Sequence, residues 1–277
     1  MKNTIQHNSL QADIAVIGAT GKTGKRVCKL LEDKGFQVKA ASRKSINRFD
    51  WEDKTTWAPT LEGIKSVYVT YYPDLAVASA PSDISDFCDI ALQQDVQHIV
   101  LLSGRGESAA QHCEDIVKQS GLQWTLVRAS WFNQNFLEGA FRPMIDAEVI
   151  ALPVGETREP FIDADDIAEV VATALSEPGH KNKLYEVTGP RLLTFEDVAK
   201  EITQANQKII QYKHISQEEF LQQLKSSGTP EDVIDMMMYL FTEVMDGRNE
   251  YISDGVNECL GRTAKDIKDY ISNNLIA

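Results

Sequence analysis

Residues 13–24 read Asp-Ile-Ala-Val-Ile-Gly-Ala-Thr-Gly-Lys-Thr-Gly, and Ser42-Arg43 follows about twenty residues later. A short apolar run, Ile14 to Ile17, breaks into three glycines, Gly18, Gly21 and Gly24. A helical pattern follows at once, with Val27, Leu30 and Leu31 on one face and Gly35 placed to end it. A second apolar run, Val38 to Ala41, then delivers Ser42 and Arg43. Strand, glycines, helix and strand in this order form a βαβ unit whose first turn sets a pyrophosphate on a helix N-terminus. Three glycines without that context would say little.

Each position has a physical task. Gly18 ends the strand in a tight turn, Gly21 lets backbone N–H groups approach phosphate, and Gly24 allows the helix to pack closely. Thr20, Lys22 and Thr23 add hydroxyl and ammonium donors around the anion. The tip of the second strand selects the nucleotide. A carboxylate there would accept from a ribose 2′-hydroxyl and repel a 2′-phosphate, whereas Arg43 can grip that phosphate in a fork. Lys44 adds charge and Ser42 a hydroxyl, so NADP(H) is favoured over NAD(H). The bland reading of Arg43 is a solvated charge at a strand end.

The chain has 277 residues, enough for one large domain or two joined ones. Its formal net charge of −13 argues against nucleic acid and anionic membrane as partners. Against that background Lys22, Lys25, Arg26, Arg43 and Lys44 form a local basic patch suited to a phosphate-rich ligand. Cys28, Cys88, Cys113 and Cys259 show no metal-type spacing and no disulfide framework, which fits a reducing compartment, and no metal is expected. Met1 to Gln11 is too polar for a signal peptide's apolar centre, and no apolar run approaches the roughly 20 residues of a membrane span. A cytoplasmic protein is expected, with residues 1–12 a frayed tail.

Strand and helix signals then alternate. Val67 to Tyr72 and His98 to Leu102 read as buried strands, and Trp124 to Val127 as another. Between them lie an amphipathic helix from Ser82, a plausible N-cap, to Gln94, and a helix over about 109–119. Asp163 is a candidate N-cap for a helix reaching about Leu175, and Leu184 to Val187 looks like one more strand. From about His214 onward the pattern is helical, with a dense cluster Met236 to Phe241. The alternation predicts an α/β fold with a doubly wound (Rossmann) parallel sheet, ligand lying at the C-terminal ends of the strands. Residues 1–147 are expected to form the nucleotide-binding domain and 148–277 a smaller, mainly helical substrate lobe, with about 161–188 returning to the main sheet.

With these residues in place, the chain resembles the NmrA-like branch of atypical short-chain dehydrogenases/reductases over nearly its whole length. The resemblance is carried by Gly18-Ala-Thr-Gly-Lys-Thr-Gly24, Ala41-Ser-Arg43, Ile99-Val-Leu-Leu-Ser103, Arg128-Ala-Ser-Trp-Phe-Asn-Gln-Asn-Phe136, Pro160-Phe-Ile-Asp-Ala-Asp-Asp-Ile167 and Leu260-Gly-Arg262. Within the branch, Phe49-Asp-Trp51 with Lys54-Thr-Thr-Trp57 is similar to the ergot-alkaloid dehydrogenase group. The resemblance implies NADP(H) along the sheet edge, Arg43 at the 2′-phosphate and Asp50-Trp51 near adenine. It implies Tyr71, Tyr72 and Pro73 beside the ribose and nicotinamide, Ser103 and Gly104 at a cofactor-facing strand end, and Trp131, Phe132 and Asn133 in the turn near the nicotinamide. Core packing is the alternative reading of the aromatics.

Larger relatives use a Tyr-x-x-x-Lys pair. Here the corresponding helix, Glu107 to Lys118, contains no tyrosine, and His112 is its one obvious proton donor; a lone helical histidine is more often a surface or packing residue. Conventional alcohol oxidation is therefore disfavoured. The first reading is an NADPH-dependent reductase of a small, largely apolar molecule, with an iminium or conjugated acceptor needing less proton donation than a ketone. Trp131, Phe132, Phe136 and the Met236–Tyr239 stretch are candidates to line its pocket. A redox-sensing NADP(H)-binding protein acting through a protein partner is the second reading, and an epimerase-like enzyme a third. An open apolar cavity beside the nicotinamide would favour an enzyme; a filled or shallow site would favour a sensor.

Overall fold

The computed structural model describes residues 13–275, so the expectation of a frayed tail at 1–12 lies outside the described residues. The strands are β1 (Ile14–Ile17), β2 (Val38–Ser42), β3 (Asn47–Arg48), β4 (Ser66–Val69), β5 (His98–Gly104), β6 (Gln123–Ala129), β7 (Val149–Leu152), β8 (Lys183–Val187) and β9 (Gln211–His214). The helices of the first half are α1 (Lys22–Asp33), α2 (Trp57–Leu61), α3 (Ala80–Gln93), α4 (Ser108–Gln119), α5 (Gln134–Leu137) and α6 (Arg142–Asp146). Those that follow are α7 (Ala164–Ser176), α8 (Phe195–Asn206), α9 (Gln217–Ser226), α10 (Glu231–Tyr239), α11 (Gly255–Leu260) and α12 (Ile267–Asn274).

Seven strands form one parallel sheet in the order β3-β2-β1-β4-β5-β6-β8. Successive residues of its central strands enter opposite cores. Ala15, Ile17, Val67, Val69, Ile99 and Leu101 pack on one face with Trp57, Phe87 and α3–α4 side chains. Ile14, Val16, Tyr68, Val100 and Val127 pack on the other with α1 and α7. Burial on both faces is why these strands read as near-continuous apolar runs. The chain leaves β1 toward β2 on one side and β4 lies on the other, so the crevice beyond β1 and β4 is the topological switch point.

The doubly wound sheet agrees with the sequence reading, and β8 forms one of its edges. Asp163 caps α7, its carboxylate accepting from the Asp165 N–H. Several boundaries differ. The run Val67–Tyr72 leaves the sheet after Val69, and α3 begins at Ala80 with Pro81 in its first turn. Ser82 is therefore inside the helix, its hydroxyl donating to the Ser79 carbonyl at 3.1 Å. The later part of the chain also carries a two-stranded parallel sheet, β7 with β9, that the pattern concealed because β9 is short and mostly exposed. A third core joins Phe136, Leu137, Phe141 and Ile145 to Phe195, Phe220, Phe241 and α12, and so draws on residues from both sides of position 148. Arg262 of the Leu-Gly-Arg motif ties this end of the chain to α7 through Asp166 and Glu169.

Candidate active site

The glycine turn after β1 is shaped by close approaches. Gly18 has φ +76°, and a Cβ there would overlap Thr70 Oγ1, which itself donates to the Ile17 carbonyl at 3.1 Å. A Cβ on Gly24 would overlap the Gly18 carbonyl, so this glycine packs the helix against its own turn. Gly21 caps α1 with extended backbone (φ −76°, ψ 175°), no side chain caps the helix and no acid occupies its first turn. α7, α8, α9 and α12 each have a side-chain cap. The free first-turn N–H groups of α1 thus fit an anion, and a dinucleotide pyrophosphate suits the cradle.

Two clefts open along the C-terminal edge of the sheet. The first half of the groove, about 370 Å³, is lined by Gly18, Thr20, Gly21, Ser42, Arg43, Lys44, Asp50, Trp51, Tyr71 and Tyr72. The Arg43 guanidinium lies 4.3 Å from the Tyr72 ring centroid, at the end of β2. Ser42 is buried, its hydroxyl against Ser45 Oγ at 2.6 Å. Trp51 packs on Tyr71 with ring centroids 4.7 Å apart, and its Nε1 donates to the Thr70 carbonyl at 3.1 Å.

The second cleft, about 360 Å³, shares Thr70 and Tyr71 with the first, so the two adjoin across the switch point. Ser103, Gly104, Trp131, Phe132 and Lys22 line it, along with Phe141, Met236, Met237 and Leu240. The turn after β6 is pinned from behind: Ile162 N–H donates to the Trp131 carbonyl at 2.9 Å and Asn133 N–H to the Ile162 carbonyl at 2.8 Å. Ser103 lines the cleft, but its hydroxyl donates to the buried Glu114 carboxylate at 2.7 Å. The Tyr71 hydroxyl donates to Asp83 at 2.7 Å and burial pushes it up to about 12, so the ring, not the phenol, faces the groove.

Other expected site residues lie elsewhere. Thr23 is buried and its hydroxyl accepts from Tyr68 at 2.9 Å, serving the core instead of the anion. Phe136 is fully buried among Phe141, Phe161 and Phe195, behind the cleft wall. Asn133 is also fully buried, with no partner for its side-chain amide, and nothing in the structure explains that cost. His112 is exposed on α4 and lines neither cleft. The basic patch is narrower than its composition implied: Lys25 pairs with Glu138, and Arg26 with Glu138 and Asp165. Lys22, Arg43 and Lys44 are the members of it that line the groove.

The cleft also holds acids that no sequence motif marked. Asp74 follows the cis Tyr72–Pro73 peptide, and Glu107 follows β5; their carboxyls are hydrogen-bonded to each other. Burial raises both, and mutual repulsion adds to the rise at Glu107, which stays protonated well above the usual carboxylate range. Glu159, which accepts from Ser130 Oγ at 3.1 Å, is pushed up to about 7, chiefly by burial. Arg105, 3% exposed, donates to Glu186 and to the carbonyls of Asn249 and Tyr251, strapping that loop to the sheet end. The position of Glu107 just ahead of α4, directly after Ser-Gly-Arg-Gly, was the sole available signal for it.

The profile of the NmrA-like family matches residues 109–272, and an NAD(P)H-binding profile matches residues 18–178. The chain belongs to the NmrA-like family. It carries an NAD(P)H-binding domain, in keeping with the cradle and groove just described. Among its relatives, Prestalk A differentiation protein A of Dictyostelium discoideum is 26% identical over 95% of this chain and 92% of its own. Agroclavine dehydrogenase of Claviceps fusiformis is 28% identical over 94% and 96%, which agrees with the resemblance to the ergot-alkaloid group. The same fold occurs in the NADPH complex of the Escherichia coli quinone oxidoreductase QOR2, with TM-score 0.80, 22% identity and coverage of 94% of this chain and 99% of that one. Among the described residues no helix is long and apolar enough to cross a membrane, and no His/Cys/Asp/Glu group could hold a metal.

Proposed function

We propose that this NmrA-like protein is an NADPH-dependent reductase of a small, largely apolar, electrophilic organic molecule. The observation that carries the reading is the open second cleft, adjoining the nucleotide groove at Thr70 and Tyr71 and walled by Trp131, Phe132, Phe141, Met236 and Leu240. Its volume of about 360 Å³ falls within the range of small-molecule sites. A sensor that signals only through its surface has no use for such a cavity.

When bound, reduced nicotinamide would supply a hydride. The chain's own residues hold the nucleotide and shape the space beside it. The first-turn amides of α1 would receive the pyrophosphate beside Gly21, which has no side chain in the way, and Arg43, backed by Tyr72, would receive the 2′-phosphate and favour NADPH over NADH. Trp131, Phe132 and Phe141 exclude water from the acceptor and orient it. Conjugated carbonyl, quinonoid and iminium compounds suit a site without a tyrosine acid, since they are already strong electrophiles. The relative called agroclavine dehydrogenase and the structural neighbour called an NADPH-dependent quinone oxidoreductase support this class.

The test is NADPH oxidation across a panel of such electrophiles, with hydrogen exchange of the NADPH- and NADP⁺-bound forms alongside. Acceptor-dependent oxidation with matching exchange patterns is expected. No oxidation with any acceptor, together with exchange differences confined to a surface loop, would replace the reductase with a redox sensor.

A further inference from the structure

We propose that Asp74 and Glu107 form a proton-holding pair that serves the substrate cleft, donating one proton to the anion left when a neutral acceptor takes a hydride. This rests on the reductase reading above and adds the acid that the missing tyrosine would otherwise provide.

Three features of the geometry support it. Both residues line the cleft, Asp74 from the loop after β4 and Glu107 from the turn between β5 and α4. They are hydrogen-bonded to each other, and two carboxyls in contact in a mostly apolar wall hold one proton between them. The arrangement is also built in. Gly104 has no side chain where a Cβ would overlap the Glu107 carboxyl, and Asp74 Oδ1 accepts from the Ala76 N–H at 2.9 Å, which fixes its orientation. Burial keeps the proton on the pair where exposed carboxyls are ionised.

The balance of the step is simple. The electrophilic carbon of a quinone or enone receives a hydride with its two electrons from the reduced nicotinamide, which is oxidised. The acceptor becomes an enolate- or phenolate-type anion. The O–H bond of the pair breaks, its proton passes to that oxygen, and the pair, now doubly ionised, regains a proton from water. An iminium cation requires the hydride alone, because its product is a neutral amine.

That difference supplies the test. Glu107→Gln and Asp74→Asn each keep the shape, the mutual hydrogen bond and a net charge of −1, yet remove the transferable proton. With ligand-free protein, infrared spectra at about pH 7, where ordinary carboxyls are ionised, should show a protonated-carboxyl band that each variant removes. Glu159 accounts for a separate contribution that remains. Single-turnover reduction of a neutral quinone should fall by about 10²–10⁴-fold in both variants, while reduction of an iminium cation and NADPH affinity hold within about twofold.

The wild-type rate with the quinone should decline as pH rises through the pair's titration, and the rate with the iminium should not. Arg105 in the same turn, Cys113 and Glu114 on α4, and Arg248 on the Gly106 carbonyl also face this region, so the decline must vanish in both variants to be assigned to the pair. Equal losses with the two acceptors, or none with either, while the wild type turns over, overturn this role alone. Failure of the wild type to oxidise NADPH with either acceptor overturns the reductase reading and this role with it.

Discussion

Replacing Arg43 with alanine tests the nucleotide preference at one atom group. The guanidinium sits at the exposed end of β2, 4.3 Å from the Tyr72 ring centroid. A unit charge pair in contact is worth about 1 kcal/mol in bulk water and about 4 kcal/mol at the effective dielectric of a protein surface. A dianionic phosphate held by a guanidinium fork with water on one side falls between these limits. Charge-assisted hydrogen bonds support the same range. Arg43→Ala should therefore cost about 1.5–3 kcal/mol, or about 10- to 150-fold in the Kd for NADPH. The Kd for NADH should move by no more than about twofold, because a 2′-hydroxyl offers no charge to grip. Tyr72→Ala, which leaves the arginine without its ring, should cost about 0.5–1 kcal/mol with NADPH. Isothermal calorimetry with both nucleotides is the assay, and equal losses for NADPH and NADH in Arg43→Ala would refute the assignment.

Gly21→Val should remove measurable nucleotide binding while circular dichroism stays native, since the new side chain crowds the Gly18 carbonyl, 3.1 Å from the Cβ position, at the mouth of the anion cradle; retained affinity in a folded variant would place the phosphates elsewhere. Glu114→Ala should destabilise the fold by about 3–5 kcal/mol in urea titration, because it strips a fully buried carboxylate from Arg128 at 2.6 Å and from Ser103. His98 is buried against Thr125 and held down to about 4, mainly by desolvation and then by Lys181 and His180. Its unfolded value is higher, so the unfolded chain binds more protons between the two values, and this contribution to stability is present above about pH 6.5 and lost as pH falls toward 4. The loss should approach roughly 3 kcal/mol across that window and be absent in His98→Gln.

The proposed nucleotide half of the site was legible in the sequence because its residues are local. Strand β1, the glycine turn, α1 and the tip of β2 are consecutive, and hydrophobic period and glycine spacing are properties of consecutive residues. The same holds for the cap at Asp163 and for the parallel, doubly buried strands. The second cleft was legible only in part. Trp131, Phe132 and Met236, named as candidates, do line it, but Phe141 and Glu107 join them only through tertiary packing, and Phe136 and Thr23, equally plausible by type, turn into the core. His112 and Glu107 lie in the same stretch of chain, but Glu107 precedes α4 in the turn that lines the cleft, whereas His112 sits on the exposed face of the helix. Asp74 and Glu107 carry no motif at all. Their shared proton exists because tertiary packing brings two acids from separate loops together and withdraws them from water, and a one-dimensional pattern contains neither the contact nor the desolvation.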